Sequence, residues 1–366
     1  MLSFLPLAIL LPLTANDPVE VPPGHSPGET SENGPWESLD ATVSSLARSL
    51  GSDAESASLW GFLKSTYGAS GDLPAGSIGG YSAVAIDAAR LYLDGSNGVA
   101  TVRLSTDFAS GSASLLDAWA RFTVTEGANF QLGQFRTPFL RTANIESNRN
   151  LFILPTRNSL FYRVRDGSRQ GAMLSIDHGP MRLDMAAQNG FDQAFDNHLI
   201  SSRVELDFLG EGLGDTEGAL GAPATPQVTA GIAYSNDESG DEARALASDI
   251  ALTMSGFYLQ IEAVRYEADY TNLDLAAGHI LLSELDAGRG NTTPISVTCS
   301  HLFLGDLWEA GARYEQFDDV LGRELLTVGF NRYYKGHDAK VQVNFSTESS
   351  SGDDADIFGI GLTLSF

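Results

Sequence analysis

The final nine residues alternate strictly between large apolar and small side chains. The large set is Phe358, Ile360, Leu362, Leu364 and Phe366, and the small set between them is Gly359, Gly361, Thr363 and Ser365. Because side chains two residues apart share one face of a β-strand, the pattern predicts a strand with one apolar face and one small, polar face. A half-buried soluble sheet also alternates, so the number of repetitions carries the argument.

The alternation recurs from about residue 58 to the C-terminus, with almost no helical periodicity between the runs. Clear examples are 102–108, 204–208, 257–261 and 341–345. The patterns predict an all-β chain of about sixteen antiparallel strands: 58–67, 81–94, 98–107, 113–124, 128–137, 168–177, 181–190, 198–208, 226–236, 246–253, 256–269, 293–304, 307–318, 322–334, 338–348 and 354–366. An even count places both ends of the sheet on one side, as bacterial transmembrane barrels require.

The connections between these strands alternate in length. The even-numbered ones are mostly two to four residues long, whereas odd ones such as 138–167 and 270–292 are much longer. Short periplasmic turns and long external loops are typical of outer-membrane barrels. One connection departs from the rule: 209–225 is long for a turn, which leaves open an unusual periplasmic segment or an error in the strand count. Only a closed sheet satisfies every backbone group in lipid, so a transmembrane β-barrel over 58–366 is the predicted fold.

The N-terminal residues have a different character. Residues 1–15 resemble a signal peptide, with a short apolar stretch and a small residue, Ala15, before the expected cleavage site. Residues 16–57 are polar and Pro-rich, which predicts a periplasmic linker, with either a short helix or no structure over 41–50. No later apolar run reaches eighteen residues, so helical membrane spans are not expected.

The formal charge of −25 argues against a nucleic-acid partner, since binding a polyanion requires a basic surface. Most basic residues are Arg, and the chain has only three Lys (Lys64, Lys335 and Lys340). With Cys299 as the single cysteine, an intrachain disulfide is impossible.

Arginine is concentrated around the 138–167 connection, which at about thirty residues is long enough to suggest a function. Only Glu146 and Asp166 oppose these side chains, so the local balance is 7 − 2 = +5. Arg rings at a constriction favour anions, and the segment is therefore a candidate anion-attracting constriction loop. Two alternatives remain open: pairing with lumenal acids, and a solvent-exposed loop. The candidate residues are Arg136, Arg141, Arg149, Arg157, Arg163, Arg165 and Arg169.

Further arginines occupy the polar register of predicted strands and should face the lumen, because Arg in lipid costs about 2–4 kcal/mol at the bilayer midplane. Most have an acid two or four residues away in the same register, such as Asp94, Asp107, Asp184 and Glu205, so a neutralised lumenal network is the competing interpretation. These residues are Arg90, Arg103, Arg121, Arg182 and Arg203.

Three short motifs resemble the phosphate-selective porin O and P family. Residues 132–139 (Leu-Gly-Gln-Phe-Arg-Thr-Pro-Phe) look like its Gly-Gln-Phe-basic-x-Pro-Phe motif at a strand end. Residues 169–171 (Arg-Gln-Gly) resemble its Arg-x-Gly at the next strand start, and 187–190 (Ala-Gln-Asn-Gly) are similar to its Asn-Gly strand end. The resemblance is strongest over about 115–192. Arg136 and Arg169 stand at the positions of the basic residues in the first two motifs.

This resemblance implies a sixteen-stranded porin in the bacterial outer membrane, in contact with its lipids and assembled as a homotrimer. The implied function is passive diffusion of small solutes, with small anions such as phosphate expected. The near absence of Lys departs from the family's phosphate-selective members. The alternatives are a general, weakly selective porin and a structural or adhesive barrel.

Enzymatic function is not expected, because the sequence contains no nucleophile elbow, dinucleotide fingerprint or P-loop. The histidines lack zinc-site spacing, and no cofactor or resident metal is predicted. Two acidic loops, 236–242 and 349–356, resemble solvated external loops more than Ca²⁺ sites.

Overall fold

The computed structural model describes residues 56–70, 82–156, 168–190, 197–238, 243–267, 291–318, 322–349 and 354–366. The predicted signal peptide, most of the predicted linker and its short helix lie outside these ranges. All structural statements below concern the described residues.

Sixteen antiparallel strands form the described part of the chain. They are Ser56–Ser70 (β1), Ser82–Ser96 (β2), Ala100–Asp107 (β3), Ser114–Thr125 (β4), Ala128–Arg136 (β5), Ser168–His178 (β6), Met181–Asn189 (β7), His198–Leu209 (β8), Gln227–Asp237 (β9), Ala243–Met254 (β10), Phe257–Tyr266 (β11), Ile295–Phe303 (β12), Trp308–Gln316 (β13), Glu324–Lys335 (β14), Ala339–Ser349 (β15) and Asp354–Ser365 (β16).

Each strand pairs with its sequence neighbours, and β1 closes the sheet on β16 with Phe62 opposite Ser365 and Tyr67 opposite Ile360. The predicted all-β transmembrane barrel of sixteen strands is therefore confirmed as a closed antiparallel barrel. Predicted strand ends agree with the observed ones to within about three residues, because the alternation and the Gly-rich turns mark both ends of each strand.

The strand faces have the expected chemistry. In β14, Leu326, Val328 and Phe330 are exposed on the outside, whereas Thr327, Asn331 and Tyr333 are buried on the inside. A broad set of exposed Val, Leu, Ile and Phe side chains continues around the other strands. This distribution is the one that lipid contact on one face and a polar interior on the other require.

An aromatic and basic cluster marks the end of the barrel where β1 begins and β16 ends. The Arg332 guanidinium lies 5.1 Å from the Trp308 ring centroid and 5.4 Å from that of Tyr334. Trp, Tyr and Arg are the side chains that suit a membrane–water interface. Separately, no helix among the described residues has the length and apolarity needed to cross a membrane.

The connection between β8 and β9 explains the one departure in loop length. β8 ends at Leu209 and β9 begins at Gln227, and the two strands pair directly. The strand count is therefore correct, and 210–226 is an unusually long connection at the end that otherwise carries short turns.

Candidate pore constriction

The connection after β5 turns into the barrel instead of leaving it. Its described part, 137–156, contains one helical turn, α1 (Arg141–Asn144), and one 3₁₀ turn (Ser147–Arg149). Phe139 and Leu140 are completely buried in an apolar cluster with inward-facing residues of β9 to β11, including Ala233 and Val264. This packing carries the start of the connection across the interior, away from the strand that it leaves.

An apolar tip of the connection, residues 151–153, lies against a row of three glycines and one asparagine on the opposite wall. Gly311, Gly329, Asn344 and Gly359 stand opposite one another in register across β13 to β16. A Cβ atom at Gly311 would lie 2.9 Å from Leu151, and one at Gly329 would lie 2.9 Å from Phe152. We call this row, together with Gly361, the glycine groove. It receives the tip because glycine leaves the space that any side chain would fill.

Gly359 and Gly361 belong to the small, polar face that the alternation predicts for β16. A Cβ at Gly359 or Gly361 would lie 3.1 Å or 3.0 Å from Ile153. The face does point inward, but at this level protein and not water lies against it. Period-two alternation distinguishes inside from outside and carries no information on what fills the inside.

Three buried cations hold the backbone of the tip. Lys64 on β1 donates to the Ile153 carbonyl at 2.5 Å, and Lys340 on β15 donates to the Asn150 carbonyl at 2.6 Å. Arg313 on β13 donates to the Leu154 carbonyl at 2.9 Å. Both lysines stand in register with Thr363 of β16, so they flank one point of the wall.

Sequence reasoning missed all three of these residues. The available signal was weak but present: two of only three lysines occupy the inward register of strands, where a single charge must find a partner inside the barrel.

A cavity of about 360 Å³ lies between this connection and one side of the wall. The strand residues that line it come from β1 and from β3 to β8. Its carboxylates are Asp117, Glu146, Asp184, Glu205 and Asp215. The formal balance of the lining is therefore 7 − 5 = +2, in a chain of −25. The arginines that line it are Arg103, Arg121, Arg136, Arg141, Arg149, Arg182 and Arg203.

Glu146, in the connection itself, neutralises two of the predicted arginines. Its carboxylate lies 2.9 Å from Arg136 Nη2 and 3.2 Å from Arg90 Nη1, and it accepts a hydrogen bond from the Tyr92 hydroxyl at 2.9 Å. Burial alone would raise the pKa of this carboxyl, but Arg136 and Arg90 outweigh that effect and lower the pKa to about 2. The group is therefore an anion throughout the physiological range.

Three of the strand arginines pair with acids in two different ways. Arg103 donates to Asp94, the residue directly opposite it on β2, at 2.7 and 3.1 Å. Arg182 and Arg203 instead contact the acid two residues along their own strand, Asp184 and Glu205, each at 2.9 Å.

Two of the arginines, Arg90 and Arg203, have a second carboxylate. Arg90 lies 2.9 Å from Asp107, its cross-strand partner, besides its contact with Glu146. Arg203 reaches the fully buried Asp249 at 2.6 Å. For these two residues the lumenal-network interpretation describes the contacts well.

Arg121, Arg141 and Arg149 make no ion pair with a carboxylate of the described residues. Arg121 donates to Gln131 Oε1 at 2.9 Å and lies 5.1 Å from the centroid of the Trp119 ring. Arg141 is buried and donates to the Gly214 carbonyl at 2.7 Å. Arg149 is exposed, with no side-chain hydrogen bond to another described residue. Among the described residues, no carboxylate therefore contacts these three guanidinium groups directly.

The remaining predicted residues lie elsewhere. Arg169, at the start of β6, is 3.7 Å from Asp237, and it does not line the cavity. Arg157, Arg163 and Arg165 fall outside the described residues. Among the described residues, no group of three or more His, Cys, Asp or Glu side chains could hold a metal ion.

A scan against models of protein families finds no match, and a search of curated proteins finds none. Solved structures do match. An anion-selective porin from Comamonas acidovorans is 11% identical, with a TM-score of 0.58 over 85% of this chain and 99% of that one. The outer membrane channel DcaP of Acinetobacter baumannii is 13% identical, with a TM-score of 0.58 over 85% and 97%.

A third similar structure is OmpT of Vibrio cholerae in a trimer form, which is 13% identical with a TM-score of 0.56 over 85% of this chain and 99% of that one. At these identities the likeness concerns the fold. The chain thus has the fold of bacterial outer-membrane porins and channels.

Proposed function

We propose that this protein is a porin of the bacterial outer membrane that allows passive diffusion of small solutes and favours anions. The observation that carries the proposal is the cavity at the level of the inserted connection, where seven arginines face five carboxylates. Among the described residues, Arg121 and Arg149 contact no carboxylate, whereas the whole chain is strongly acidic. Fixed positive charge within a low-dielectric wall raises the local concentration of anions.

Phosphate is the narrower proposal. It rests on the resemblance of 132–139 and 169–171 to the phosphate-selective porin O and P family, and on the chemistry of arginine. A guanidinium group offers paired donors that match the oxygens of phosphate. Of the arginines carried over by position, Arg136 is engaged by Glu146 and Arg169 lies off the cavity. Arg121 and Arg149, which contact no carboxylate in the described part of the chain, are therefore the better candidates for solute contact.

A homotrimer is proposed for the assembly. The trimer form of the similar Vibrio cholerae OmpT structure supports it, together with the family resemblance. The competing proposals are a general, weakly selective porin, for which the seven arginines would be largely cancelled by acids, and a structural or adhesive barrel.

The test is the reversal potential of the purified protein in a planar bilayer under a KCl gradient. We expect anion selectivity in the natural protein and a shift toward cations in Arg121→Ala with Arg149→Ala. Arg332→Ala is the matched control, because Arg332 lies on the outward face of β14 near the end of the strand. It should leave the reversal potential unchanged.

Added phosphate should reduce the chloride current if phosphate binds at the same arginines. Cation selectivity in the natural protein would contradict the anion proposal and favour control by the overall acidic charge. An absence of channels would contradict the porin proposal itself and favour the structural or adhesive barrel.

A further inference from the structure

The β8–β9 connection, 210–226, also occupies the barrel interior. Leu213 N donates to Thr229 Oγ1 of β9 at 3.0 Å, and Ala219 N donates to Glu309 Oε1 of β13 at 2.5 Å. Ala219 is completely buried among Tyr258, Leu302 and Tyr333 of the inner wall. A connection that merely bridged two strand ends would not contact the wall as far away as β13.

This connection meets the inserted connection that follows β5. Glu217 is 3% exposed and accepts a hydrogen bond from Leu151 N at 3.0 Å and another from Arg313 Nη2 at 2.7 Å. Its own N–H donates to the Arg149 carbonyl at 3.2 Å. The side-chain carboxylate and the backbone N–H of Glu217 therefore both bind the segment that carries Arg149.

The position of the cavity fits this arrangement. The strand residues that line it belong to the first half of the barrel, and on its other side it is bordered by the inserted connection and by Asp215. The second half of the wall is covered by the tip in the glycine groove and by 210–226. Two segments from opposite ends of the barrel therefore obstruct one side and leave the arginine-lined side open.

We propose that 210–226 is a second constriction segment, which enters from the periplasmic end and confines permeation to the arginine-lined side, and that Glu217 is the positioning residue that fixes Arg149 there. The inference rests on the proposed channel function and adds the element that limits the size of the passage. A charged, buried residue suits this role because its carboxylate binds a side chain and a backbone donor at once.

The first experiment compares Glu217→Ala, Glu217→Gln and the exposed Glu211→Ala in planar bilayers. Glu217→Ala removes the carboxylate that binds Leu151 N and Arg313 but keeps the backbone N–H that faces the Arg149 carbonyl. It should raise the single-channel conductance by about twofold or more and lower the anion preference, because the segment that carries Arg149 loses its side-chain anchor. Glu217→Gln keeps the acceptor oxygen and should restore most of both properties. Glu211→Ala is the matched control from the same connection and should resemble the natural protein. Conductance and selectivity that stay unchanged in folded Glu217→Ala would overturn the proposal.

A second measurement avoids variants that disturb the buried carboxylate. In a Cys299→Ser background, Asp215→Cys places a thiol on the segment where it borders the cavity. Reaction with a bulky charged thiol reagent should reduce the conductance of the open channel, and an unaltered conductance after complete labelling would overturn the proposal. If the natural protein forms no channels, the proposed function fails; if it conducts and the modified segment has no effect, only this inference fails.

Discussion

The Arg136 guanidinium lies 2.9 Å from the Glu146 carboxylate, which joins the end of β5 to the connection that folds back into the barrel. Arg90 binds the same carboxylate from β2. One acid therefore fixes the inserted connection to two strands and cancels part of the positive charge that it brings into the lumen.

The low pKa of Glu146 predicts that its effect on ion selectivity does not change between pH 7 and pH 4. Because the pKa is lowered from its ordinary 4.5 to about 2, the carboxylate keeps its charge above about pH 3, and its contribution is lost only as the pH falls through 2. The difference in reversal potential between the natural protein and Glu146→Gln should therefore be the same at pH 7 and pH 4. Convergence of the two proteins at pH 4 would show that Glu146 titrates normally.

The glycine groove predicts a coupled pair of substitutions. Gly359→Val should push Ile153 aside and cost about 1–3 kcal/mol by overpacking, with a changed conductance. Ile153→Ala in the same chain should restore much of the loss, because it frees the space that the valine needs. Urea unfolding of the two single variants and the double variant gives the coupling energy, expected at about 0.5–3 kcal/mol. Additive effects would place the Ile153 side chain elsewhere.

Arg203 and Asp249 are expected to stabilise the fold more than they select ions. Arg203 is 5% exposed and also donates to the Phe139 carbonyl at 3.1 Å, so it links the inserted connection to the wall. Asp249→Ala leaves a buried guanidinium short of one partner and should cost up to about 3–5 kcal/mol. The measurements are the urea midpoint and the reversal potential. A large change in selectivity without a loss of stability would reverse this assignment.

The outward face of β14 offers a depth-dependent test of membrane insertion. Val328→Arg places a charge in the middle of the strand and should destabilise the barrel by about 2–4 kcal/mol in lipid, whereas Tyr334→Arg, near the strand end, should cost about 0–1 kcal/mol. Refolding into lipid vesicles of defined composition measures both. Equal effects at the two positions would contradict the placement of this strand in a bilayer.

The barrel itself was predictable because its determinants are local. Alternation with period two identifies the inward face of each strand, as in β14, and turn residues mark the strand ends. The inward placement of Arg103, Arg121, Arg182 and Arg203 follows from the same register. The sequence also showed that the connection over 210–226 is too long for the expected short turn, but it did not show that this connection lies inside the barrel.

The partners of these charges were predictable only in part. Acids two residues along the strand do bind Arg182 and Arg203, but Arg90 and Arg103 pair across strands with Asp107 and Asp94. Their choice depends on the strand register, which a single strand pattern does not contain.

The sequence by itself determined the class of fold, the strand order and the sides of the wall, since each depends on residues close together in the chain. Only the tertiary structure decided which of the described arginines contact a carboxylate and how the interior is filled. The contacts that place the inserted connection join residues far apart in the chain. Lys64 donates to the Ile153 carbonyl, and Asn344, about two hundred positions after Ile153, accepts a hydrogen bond from Ile153 N. Such contacts exist only after barrel closure brings distant strands around one interior, because no local pattern records which wall a long connection will reach.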